Sequence, residues 1–142
     1  MKSKQVLSIE QMKYLQDLGL DTSDASMYWV RRSHGSRIDD ESKGEWFLSL
    51  QKEFMVCGFI SYEILPTYTF QEIIELLPKE IKTVTDTYYL TISTYDCDVW
   101  SIYYSMSDEF DYYKEFKSDS LIDAAYEMLC WCIENGYIKT KE

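Results

Sequence analysis

The stretch LIDAAYEMLCWCIENGYI, residues 121–138, decides how this chain is read. At about 100° per residue, with Ala125 at the centre of one face, Leu121, Ile122, Met128, Leu129 and Cys132 fall within roughly 60° of it. Gly136 is placed to end the helix in a left-handed turn, which lets Tyr137 fold back on the turn that holds Cys132. An apolar face this broad must be covered by other elements, so the stretch reads as the main packing element of the fold.

The same wheel separates the Cys-Trp-Cys within it. Two residues advance a helix by about 200°, so the sulfurs of Cys130 and Cys132 point roughly 160° apart and cannot share a metal ion or a disulfide. Cys132 belongs with the core. Cys130 falls about 140° from Ala125, beside Asp123, Glu127 and Glu134. It reads as an inert, partly exposed thiol whose acidic neighbours raise its pKa. Trp131 lies on a flank with Ala124, where it either packs under a loop or contributes to a partner surface.

Working outward, Ser8 and Gln11 form an S-x-x-Q capping box ahead of Met12, Leu15 and Leu18, and Gly19 is the expected left-handed stop. DTSDAS (21–26) reads as a turn, MYWVRR (27–32) as a strand, and SHGSRIDDESKG (33–44) as a flexible loop to a second strand. In that second strand Trp46, Leu48 and Leu50 share a face at period 2. FMVCGFISYEIL (54–65) is partly strand. Thr69 and Glu72 stand at capping-box distance before the stripe Phe70, Ile73, Ile74 and Leu77, and Pro78 predicts a stop near Leu77. TYYLTIST and VWSIYYSM, joined by YDCD, predict a β-hairpin over 87–106. Leu90 and Ile92 share one face of it, as do Trp100, Ile102, Tyr104 and Met106. The charged SDEFDYYKEFKSDS (107–120) reads as a lead into the final helix.

Composition sets the outer bounds. A length of 142 residues with 46% hydrophobic and 27% charged residues suits one domain, 1–142, with a sizeable core. Aromatics reach 16%, with 13 tyrosines and 4 tryptophans, which suits both wet-edged cores and interaction surfaces. A net charge of -11 argues against direct nucleic-acid or anionic-lipid binding and favours a basic partner. The longest apolar run, Phe54 to Ile60, falls far short of the roughly 20 residues a bilayer crossing needs. MKSKQVLSIE has no hydrophobic h-region, so no secretory signal is expected, and four cysteines without framework spacing point to reducing cytoplasm.

Chemistry-bearing patterns are sparse. The lone histidine, His34, sits in a polar loop without a nucleophile and acid in evident reach. Arg31, Arg32 and Arg37 make a basic cluster that could grip an anion, although neutralising Asp39, Asp40 and Glu41 is the simpler role. The acidic pair Asp96/Asp98 lacks the glycine and glutamate of an EF-hand loop. No P-loop, dinucleotide fingerprint or G-x-S-x-G elbow occurs, so neither cofactor nor metal nor catalytic residue is expected.

SIEQMKYLQDLGLDTSDASMYW, LPTYTFQEIIELLPKEI and LIDAAYEMLCWCIENGYI together resemble a group of small acidic proteins of gut anaerobic bacteria and their phages or prophages. The resemblance covers most of the chain. It implies an accessory protein of a mobile element and brings neither an activity nor functional residues with it.

The expectation is therefore a single α+β domain, with a small antiparallel sheet and its hairpin packed against two or three helices. The leading function is a non-enzymatic protein-interaction module, self-association included, with Trp100, Tyr103 and Trp131 as partner-surface residues. Its alternatives are an acidic decoy of a nucleic-acid-binding protein and an enzyme of unrecognised type.

Overall fold

The computed structural model describes residues 4–34, 44–50, 60–106 and 112–140. Among these described residues, three helices and seven strands follow in the order α1 (Ile9–Asp17), β1 (Met27–His34), β2 (Phe47–Ser49), β3 (Ile60–Thr67), α2 (Phe70–Leu76), β4 (Glu80–Lys82), β5 (Thr87–Asp96), β6 (Val99–Ser105), β7 (Tyr112–Ser118) and α3 (Leu121–Glu134). The fold is α+β, with two antiparallel sheets where the sequence suggested one. They are ordered β2-β1-β3 and β4-β5-β6-β7.

Local chemistry sets the helix ends. Ser8 accepts from the Gln11 N–H while the Gln11 side chain accepts from the Ser8 N–H, and Thr69 and Glu72 reproduce the arrangement at α2. Each box satisfies two donors that the first helical turn leaves unpaired. α2 is short because Pro78 forces the residue before it out of the helical region. Leu77 accordingly adopts φ -68 and ψ 136. α3 ends in a complete Schellman motif: the Tyr137 N–H donates to the Cys132 carbonyl at 2.8 Å and the Gly136 N–H to that of Ile133 at 3.2 Å. Gly136 sits at φ 79 with open space where a Cβ would stand. Gly136→Ala therefore isolates the backbone cost of the left-handed turn, and a loss of about 1 kcal/mol in urea unfolding is expected. An unchanged midpoint would count against the motif.

α3 packs on β6 and β7, and α2 packs on α3. Met12 and Leu15 of α1, Ile73 of α2, Ile102 and Tyr104 of β6, and Ala124, Ala125, Met128, Leu129 and Cys132 of α3 are wholly buried in one cluster. Leu7 ties the three-stranded sheet to this core. Its carbonyl accepts from the Trp29 indole at 2.9 Å and from the Thr67 hydroxyl at 2.8 Å, and its N–H donates to Tyr68 at 3.1 Å.

Several expectations need correction. β1 continues through His34, so the first two residues of the expected 33–44 loop are strand; residues 35–43 lie outside the described residues, as do 51–59. β2 is only three residues long, and Leu50 lies beyond it, 75% exposed, rather than on a shared face with Leu48. Tyr112–Ser118, read as part of a charged lead into the helix, is the fourth strand of the larger sheet. Glu80–Lys82 adds a short edge strand that was not foreseen. Cys130 is not partly exposed. It is 8% accessible and belongs to the core cluster, because Tyr14 from α1 and Tyr126 one turn earlier on α3 lie beside it.

Candidate interaction face

In an antiparallel sheet, directly paired residues project to the same face. Ile102 pairs with Ile92 and Phe116, and Tyr104 with Leu90 and Lys114, so these make the inner face beneath α3. The outer face follows from the intervening pairs. Tyr103 lies between Thr91 and Glu115, and Ser105 between Tyr89 and Tyr112.

Three tyrosines thereby meet around a small serine on the outer face. Tyr89 and Tyr112 are 45% and 43% exposed, and half-buried Tyr103 packs on Tyr112 with ring centroids 4.3 Å apart. Ser105 is itself buried beneath them. Lower on the same face Ser101 pairs with Ser93 and donates its hydroxyl to Glu115 at 2.7 Å. Rings of moderate exposure beside short hydroxyl side chains have little rotamer entropy to lose on docking.

A β-bulge arranges this surface. Ser105 pairs with Tyr112 and Tyr104 with Lys114, so Tyr113 is the extra residue of β7. Two successive side chains then turn inward. Tyr113 stacks on Tyr88 at 4.8 Å and meets the Trp131 ring edge-on at 5.9 Å, while Tyr112 remains outside.

The three sequence-derived surface residues are thus separated. Tyr103 lies at the centre of the outer face. Trp100 shares the inner face with Ile102 by parity but stands at the far end of β6, 37% exposed. Trp131 is half-buried, packed against β6, β7 and the turn that follows α3. Its ring lies 6.5 Å from that of Tyr104 and 5.3 Å from that of Tyr137, whose hydroxyl shares a 2.7 Å hydrogen bond with Tyr113. Tyr89 and Tyr112 were missed. Tyr89 was available from the hairpin, since it alternates with Leu90; Tyr112 needed the register of a strand that was not recognised.

The other candidates resolve differently. Arg31 donates from Nε and Nη2 to one oxygen of Glu63, at 3.1 and 2.5 Å, and its guanidinium covers the Trp46 ring at 4.6 Å. A cross-strand glutamate thus neutralises it among the described residues. Arg32 is exposed on the same strand, and Arg37 lies outside the described residues with Asp39, Asp40 and Glu41. Cys130 and Cys132 are free thiols, both pushed up to about 11. Burial is the main cause in each, with Glu134 and Glu127 adding to it at Cys130. Such thiols are protonated and poorly nucleophilic near neutral pH. Among the described residues no group of three or more His, Cys, Asp or Glu side chains is placed to hold a metal ion, and no helix is long and apolar enough to cross a membrane. No family model, curated protein or solved structure matches the chain.

Proposed function

We propose that the protein is a non-enzymatic interaction module that docks a protein partner on the outer face of the four-stranded sheet. The adjacency of Tyr89, Tyr103 and Tyr112 around Ser105 carries this reading. Tyrosine is among the residues that most often anchor interfaces, because its ring buries large area while its hydroxyl keeps a hydrogen bond. Three such rings on the side of the sheet away from α3 serve no part of the core cluster. The reading extends to a cytoplasmic accessory role of the kind implied by the resemblance to phage- and anaerobe-associated proteins. The described carboxylates favour it over charge mimicry: they are spread over several elements, and Glu63, Glu72 and Asp123 are engaged in ion pairs or caps.

The test compares the wild-type chain with a Tyr89→Thr/Tyr103→Thr/Tyr112→Thr variant as baits in the native host. Threonine keeps strand propensity, so the variant is expected to melt within several degrees of wild type. A partner bound by wild type should be lost by about 100-fold or more in the variant, as expected when clustered anchors are removed together. Sedimentation of the isolated chain separates a second copy from a different partner. Equal recovery of the same partners by both baits would remove the outer face from consideration.

A further inference from the structure

On the other side of the sheet, a groove of about 420 Å3 opens between α3, β7 and Tyr14 of α1. Its walls are aromatic, formed by Tyr14, Phe116, Tyr126 and Trp131, and its rim carries Glu127 and Glu134. The two glutamates stand seven positions apart in sequence, which places them about 10 Å apart along the helix and roughly 20° apart around it. Glu134 accepts a 2.9 Å hydrogen bond from the Tyr14 hydroxyl. Among the described residues, neither glutamate has a cationic partner within ion-pair distance. The groove does hold one cation from the chain itself: the Lys114 ammonium lies 5.0 Å from the centroid of the Phe116 ring.

We infer that this groove is a docking site for an arginine side chain on a basic segment of a protein partner. Ring faces attract cations through their quadrupole, and a carboxylate beside the ring adds a direct charge partner. The rim carries two negative charges against the single positive charge of Lys114, and the chain as a whole carries -11. An anion is therefore repelled, and a purely apolar ligand would desolvate the glutamates without compensation. Arginine fits better than lysine because a planar guanidinium can stack on a ring and present a fork of donors to a carboxylate at the same time. Arg31 does both within this chain, over Trp46 and against Glu63. The groove and the tyrosine face lie on opposite sides of the sheet, so either can fail without the other.

The probe is a short Gly-Ser peptide carrying two arginines, titrated into the full chain while the Trp131 indole N–H resonance is followed by NMR. A saturable shift is expected, with no comparable shift from the same peptide carrying citrulline. Glu127→Gln/Glu134→Gln should weaken binding by about 10-fold or more, whereas Glu10→Gln/Asp17→Asn, which removes equal charge from α1, should change it by less than about 2-fold. Lys114→Gln should tighten binding a few-fold, a direction that a damaged fold would not produce. The proposal is overturned by the absence of a shift at millimolar peptide or by equal binding of the citrulline peptide. Equal weakening by the two charge-removing pairs, or weaker binding by Lys114→Gln, would also overturn it.

Discussion

Ile102→Ala is expected to lower the unfolding free energy by about 3–4 kcal/mol, and Tyr103→Thr, one residue along, by less than about 1 kcal/mol. The contrast follows from strand parity. Ile102 is wholly buried at the centre of the inner face, between Ile92 and Phe116, and packs in the cluster that α3 closes. Its truncation removes three buried carbons and leaves a void that neighbours held by a sheet on one side and a helix on the other fill only in part. Tyr103 projects the other way and loses mainly its contact with the ring of Tyr112. Chemical denaturation of both variants at neutral pH measures the difference. Equal losses would mean that the outer face is covered as the inner face is, which would also remove the proposed docking surface.

Legibility in this sequence follows the range of the interactions. The capping boxes at Ser8 and Thr69, the stop imposed by Pro78 and the Gly136 turn each depend on residues within a few positions, and each is read correctly. The hairpin of β5 and β6 is legible because its apolar alternation is strong on both strands. β7 is different. The bulge at Tyr113 breaks the period of two, and the inward Lys114 places a charge where an apolar residue would mark a strand. Lys114 is accommodated there because its stem runs along the sheet and its ammonium lies over the Phe116 ring. Burial of Cys130 is equally hidden, since a wheel drawn for one helix contains nothing of Tyr14 on another. The docking face was half legible for the same reason: Tyr103 stood out as an aromatic in the hairpin, while its neighbour Tyr112 comes from the strand whose register the sequence conceals.

Raising the pH from 8 to 11 is expected to weaken the fold steeply, with Cys132 alone responsible for about 2 kcal/mol of the loss. Cys132 is wholly buried, and burial pushes its thiol from the ordinary 9.0 up to about 11 against a weaker opposing hydrogen bond with the Tyr104 hydroxyl. Between those two values the unfolded chain has released the proton and the folded chain still holds it. Stability is therefore complete below pH 9 and lost as the pH rises through the folded value. Cys130 acts in the same direction, as do Tyr68 and Tyr104, whose hydroxyls are raised chiefly by burial. Each of these groups is tied to the interior by its neighbours: Tyr104 donates to the Pro78 carbonyl at 2.7 Å, and Tyr68 to Asp24 at 2.9 Å. Deprotonation removes the donor and leaves a charge where water cannot reach it, so alkaline unfolding should be cooperative rather than a gradual loosening of the surface. Urea midpoints measured across this range in wild type and in Cys132→Ala isolate the contribution of the one thiol. The variant starts lower because of its cavity, but its stability should fall by about 2 kcal/mol less between pH 8 and pH 11. Parallel curves for the two proteins would mean that Cys132 ionises as freely in the folded chain as in the unfolded one, and α3 could not then be packed on β6 as described.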